Sequence, residues 1–196
     1  MLTIKKTLKA ALLTASVVAM SACATGPQLA PMGAYTTGSM TVQLQSDWNA
    51  IPFRGGKLKE AKILTKDGPA LNAVYLFPDI KDGSGLMREW RKERPVPRFD
   101  SSMSDLELAE FLTDSLYRAG GYTALNLENV RPDSYRGEDA VRFDLKGRTN
   151  AGLNIEGSAL MSIIDERLNI IFFLAPSEYY AGKVRSEVDA MFVKVR

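Results

Sequence analysis

Residues 168–174 read Leu-Asn-Ile-Ile-Phe-Phe-Leu, a stretch that is nearly all apolar and far too short to be a buried helix of its own. A strand of this kind has no polar face to give to water, so it predicts a central position in a sheet covered on both sides. The segments before it alternate instead. Leu125 and Leu127 alternate with Asn126 and Glu128, and Val141, Phe143 and Leu145 alternate with Arg142, Asp144 and Lys146. Leu153, Ile155, Ala159, Met161 and Ile163 keep one parity, with Gly157 as its only gap. The linkers Arg148–Gly152 and Asp165–Arg167 suit antiparallel neighbours, so the second half of the chain predicts a four-strand meander.

Earlier in the chain, Met40, Val42 and Leu44 have the period of a half-buried strand, with Trp48 placed to plug the sheet's end. Residues 60–66 and 70–77 are two further strand candidates around Lys66-Asp67-Gly68-Pro69, where Asp-Gly signals a hairpin and Pro69 restricts its geometry. The period changes over 101–120. Ser104 and Glu107 have capping-box spacing, Leu108, Phe111, Leu112, Ser115 and Ala119 share a helical face flanked by Leu116, and Gly120-Gly121 supplies a stop. The opposite face carries Asp105, Glu107, Glu110 and Asp114, so the apolar stripe is expected to cover the sheet rather than a membrane. Pro176-Ser177-Glu178 is expected to open a last helix, with Tyr180, Val184, Val188 and Met191 on one face. Together these elements predict an α+β fold, an antiparallel sheet of about six to seven strands packed against two main helices.

The N-terminus is of another kind. Lys5, Lys6 and Lys9 precede the apolar run Ala10–Ala19, and Met20-Ser21-Ala22 lead to Cys23, the single cysteine. This is the layout of an export signal, too short to span a bilayer. Its last four residues resemble a bacterial lipobox, with Met20 in place of the usual Leu. The resemblance implies a signal peptide at 1–22, acylation of Cys23 and attachment to a membrane. Ala24 stands where lipoproteins retained in the inner membrane typically carry Asp, which implies the outer membrane, facing the periplasm. Residues 23–39 are expected to be the lipidated cysteine and a flexible tether rich in small residues, Pro and Gly, with one domain over 40–196.

Composition then excludes more than it suggests. The chain has 25 basic and 23 acidic residues, and three of the lysines lie within 1–22, so the remainder carries a net charge of −1. That balance argues against nucleic acid as a partner. There is no histidine and no cysteine beyond Cys23. Imidazole bases, Ser-His-Asp and Cys-His catalysis, His- or Cys-built metal centres and structural disulfides are thereby excluded. No G-x-S-x-G, Walker A or G-x-G-x-x-G motif occurs, so no cofactor is predicted and no catalytic or metal-binding residue is assigned.

The lipobox, tether, central helix and meander-plus-helix resemble small bacterial lipoproteins of the PsbP-like fold, including the DcrB-like group, over roughly Met40–Val195. The resemblance implies a scaffold that binds a ligand or partner. The candidate surface is residues 81–99, where Arg88, Trp90, Arg91 and Arg94 are of the types enriched at binding hot spots. An envelope protein or an anionic envelope component is the expected contact. The alternative for this segment is a solvated helix over 86–93 with Trp90 buried. Asp79, Asp82, Asp100 and Asp105 flank it without the spacing of a cation loop or catalytic pair, and read as turn and helix-start residues. Tyr179-Tyr180 either bracket a cleft or place one ring on the core. The expected function is a non-catalytic binding or envelope-associated module. The alternatives are a carboxylate-based enzyme acting on an envelope polymer and a structural subunit of an envelope assembly.

Overall fold

The computed structural model describes residues 26–89 and 95–193. Twelve elements follow one another among these residues: β1 (Gln28–Ala30), β2 (Gly33–Thr37), β3 (Met40–Leu44), β4 (Trp48–Pro52), β5 (Lys62–Thr65), β6 (Ala73–Lys81), α1 (Asp105–Ala119), β7 (Tyr122–Tyr135), β8 (Glu138–Thr149), β9 (Asn154–Ile164), β10 (Arg167–Pro176) and α2 (Tyr180–Val193). Eight strands form one antiparallel sheet in the order β1-β4-β5-β6-β10-β9-β8-β7, and β2 and β3 form a separate hairpin. The fold is α+β, with helices on the sheet.

The apolar run lies where its composition requires. β10 pairs with β6 on one side and β9 on the other, and its side chains divide by parity between two cores. Leu168, Ile170, Phe172 and Leu174 enter the core beneath α1, which Leu108, Phe111 and Leu112 close from above. Ile171, Phe173 and Ala175 enter the core beneath α2, joined by Val184, Val188 and Met191 and by Met40, Val42 and Leu44 of the hairpin. Each face of the sheet is therefore covered, one by α1 and the other by α2 with β2–β3.

α1 starts as its sequence dictates. The Ser104 side chain caps the Glu107 N–H, and the Glu107 carboxylate accepts from the Ser104 N–H at 2.8 Å. Ala119 is exposed, so the buried stripe ends at Leu116, one turn short of the expected face.

Three expectations need correcting at the N-terminal side. Residues 28–37 are not tether. β1 pairs with β4 through the backbone, with Ala30 fully buried, and β2 pairs with β3 across a two-residue Gly38-Ser39 turn. Backbone pairing needs no apolar side chains, which is why small uncharged residues can serve. Gly38 has φ 56°, the geometry a Gly-first hairpin turn demands, and an added Cβ would lie 2.8 Å from Pro78 Cγ. Met40–Leu44 lies outside the main sheet, in the hairpin that packs on α2. Trp48 opens β4 and is 1% exposed, a strand residue rather than a plug.

A polar clasp holds α2 to this side. Glu187 accepts from Ser46 Oγ at 2.6 Å and Trp48 Nε1 at 3.2 Å, and is paired with Lys66, whose ammonium lies over the Trp48 ring. Next to it Lys183 pairs with Asp67 at 2.7 Å. Burial pushes the Glu187 carboxyl up, and the bonds from Lys66, Ser46 and Trp48 outweigh it, so Glu187 titrates below its ordinary 4.5. A folded value below the unfolded one adds stability that is present above about pH 4.5 and is lost as pH falls through the depressed value. In Glu187→Gln, melting temperature should therefore fall less steeply than in wild type between neutral pH and about pH 3. Parallel melting curves for the two proteins across that range would remove Glu187 from the acid response.

Candidate functional site

β4 and β5 are joined by residues 53–61, and residues 82–104 connect β6 to α1, with 82–89 and 95–104 described and packed on the α1 face of the sheet. Backbone bonds tie these described parts together. Gly83 N–H donates to Phe99 O at 2.8 Å and Phe99 N–H to Ser84 O at 2.9 Å, which zips the two limbs of the long connection together. Leu86, Met87, Val96 and Phe99 point into the core with Phe77 and Ile80. The connection is thus a strap over the sheet, and residues 86–89 are not helical, contrary to the solvated-helix alternative.

The strap meets the β4–β5 loop through Arg88 N–H, which donates to Gly55 O at 2.8 Å. Glycine is required at this junction. A Cβ on Gly56 would lie 2.6 Å from Leu86 O, and one on Gly85 would lie 2.8 Å from Val96 Cγ2. Between the two loops runs a groove of about 510 Å³. Leu58, Phe77, Leu86 and Val96 supply its apolar lining, Lys57, Lys81, Arg88 and Arg98 its cations, and Asp79 and Glu89 its two carboxylates. Arg88 and Lys81 are exposed, and among the described residues Arg98 makes only an exposed 3.4 Å pair with Glu89. Such pairs hold weakly, so the guanidinium stays free to meet another anion. A cleft of this size with apolar walls and convergent charges has the form of a small-ligand site.

Of the predicted site residues, Arg88 lies on this groove. Trp90, Arg91 and Arg94 lie outside the described residues, as does Cys23. The flanking carboxylates do not converge. Asp79 accepts from Ser39 Oγ at 2.7 Å, Asp82 from Ser101 N–H at 2.7 Å and Asp100 from Ser102 N–H at 2.9 Å, while Asp105 opens α1. The Ser102 bonds hold the Asp100 carboxyl below its ordinary value. Among the described residues, no cluster of Asp and Glu has the arrangement of a metal site. Tyr179 is exposed and Tyr180 packs on the α2 core, so the pair makes no cleft.

Sequence reasoning missed the β4–β5 loop. Arg54, Lys57 and Lys59 stand there, with Lys62 opening β5, against Glu60 alone, a denser excess of cations than any in the strap's described residues. The signal was the charge run itself, which sits outside the segment that drew attention through its tryptophan.

The chain matches no family model, and no curated protein matches it. It is similar to a crystal structure of a Pseudomonas aeruginosa protein of unknown function, PA94, at 13% identity and a TM-score of 0.38, over 80% of this chain and 90% of that one. A likeness of that degree carries no argument about fold or function.

Proposed function

We propose that the protein is a lipid-anchored, periplasm-facing module of the outer membrane, without catalysis of its own, that binds an anionic envelope component in the groove between the β4–β5 loop and the strap. The observation that carries the reading is the meeting of Lys57, Lys81, Arg88 and Arg98, which outnumber Asp79 and Glu89, around a partly apolar cleft about 510 Å³ in volume. The lipobox-like Met20–Cys23 supports the anchor. Two or more acyl chains give stable attachment, since each buried CH₂ contributes about 0.8 kcal/mol.

The test has two arms. Cys23→Ser should move the protein from the membrane pellet to the soluble periplasmic fraction; sedimentation at the wild-type level would place the anchor elsewhere. In the soluble Cys23→Ser chain, adding Arg88→Ala and Arg98→Ala should leave the melting temperature nearly unchanged and weaken pelleting with isolated envelopes. That loss should shrink with added salt, because exposed charges are screened beyond about 8 Å at physiological ionic strength. Unaltered pelleting would dismiss the groove.

A further inference from the structure

Resting on the anchor reading above, we propose that the anionic partner of this site is the headgroup surface of the bilayer that holds Cys23, and that the β4–β5 corner of the domain lies against it. The chain's course fixes which corner. β1 runs antiparallel to β4 with Gln28 opposite Ala50, so the residues before Gln28 leave the sheet toward Pro52 and the β4–β5 loop. Only three residue steps separate Cys23 from Gly26, the first described residue, a reach of at most about 11 Å. An acylated Cys23 therefore holds this end of the domain at the membrane surface.

The charge at that end matches. Arg54, Lys57 and Lys59 are exposed and Lys62 is half-buried, with Glu60 the one acid in the loop, and Lys81 and Arg88 continue the positive surface along the groove. The nearby acids are partly engaged: Asp79 by Ser39, Asp82 by the Ser101 N–H, and Glu89 by Arg98. The register β4-β5-β6-β10-β9 puts the β9–β10 turn, with Asp165 and Glu166, at the same end of the sheet but three strands away from β5. The positive half is thus the half beside the anchor. Acyl chains fix attachment, and the basic corner fixes which way the domain faces.

The test uses the full acylated protein bound to vesicles of phosphatidylethanolamine with phosphatidylglycerol, or of phosphatidylcholine alone. A water-soluble amine-acylating reagent reports the reactivity of Lys57 and Lys59 against Lys146. Lys146 has a side chain 60% exposed and sits on β8 opposite Glu156, at the far end of the sheet. On the phosphatidylglycerol vesicles Lys57 and Lys59 should react about five-fold more slowly relative to Lys146 than on phosphatidylcholine, the scale of one lysine's attraction to an anionic surface. High salt should remove the difference. Equal relative rates on the two vesicle types, with the protein still bound, would overturn the proposal and leave the anchor intact. Wild-type protein that fails to float with either vesicle would overturn the anchor and this proposal together.

Discussion

Replacing Phe172 with alanine should destabilise the protein by about 3–5 kcal/mol in denaturant titration. Phe172 is fully buried on the α1 face of β10, and its ring stacks on Tyr75 at 4.4 Å and on Phe77 at 5.8 Å, each at 8°. Phe53 closes the group edge-on against Phe77 at 4.8 Å. Three of these rings come from adjacent strands with fixed register and one from the β4–β5 loop, so the layer cannot collapse into the space a deleted ring leaves. Phe172→Leu fills most of that space and should cost less, losing chiefly the stacking contribution of about 0.5–1.5 kcal/mol. A loss under about 1 kcal/mol for Phe172→Ala would mean that the site relaxes freely. Phe77 also lines the groove, so the alanine variant should loosen the candidate site along with the core.

A methyl group added at Gly157 should cost about 3 kcal/mol. Gly157 lies within β9, opposite Leu145 on β8 and Leu174 on β10. A Cβ there would fall 1.9 Å from Phe173 O and 2.9 Å from Leu174 Cδ2. The first of these is backbone of the central strand, which cannot rotate aside as a side chain can. Gly157→Ala must therefore displace β10 or break its pairing with β9. A variant as stable as wild type in the same titration would show that the two strands part without penalty.

The gap in the alternation of β9 thus marks a position with no room for a Cβ beside β10, and the sequence pattern announced it without explaining it. What was legible follows from length. β7 to β10 are long and their turns are short, β7 and β8 alternate in polarity, and β10 is apolar on both faces, so parity, order and the central position all survive in the residues. The capping box and the stripe of α1 are legible for the same reason, since local bonds and one buried face determine them. The N-terminal strands were not, because Gln28–Thr37 pair through backbone and their uncharged residues, broken by Pro31 and Gly33, look like linker. The two-residue Gly38-Ser39 turn was the available signal. Leu153 erred the other way: it keeps the parity of β9 but is exposed in the turn before it. At the site, Arg88 was legible and the meeting of its strap with the β4–β5 loop was not, since 33 positions separate Arg88 from the Gly55 carbonyl that its N–H reaches.

β1 is the edge of the sheet, three residues long, and it is the element through which any pull on the N-terminus enters the fold. Its grip is a handful of backbone hydrogen bonds to β4 and the buried Ala30, with Leu29 turned to solvent. Under load it should yield before any other strand, as a mechanical fuse. Freeing residues 28–32 would release roughly 17 Å of slack at about 3.3 Å per residue, while the seven remaining strands of the main sheet and both helices stay folded. A domain built this way can let out its N-terminal residues under tension without losing its structure, and can reseat them when the tension ends.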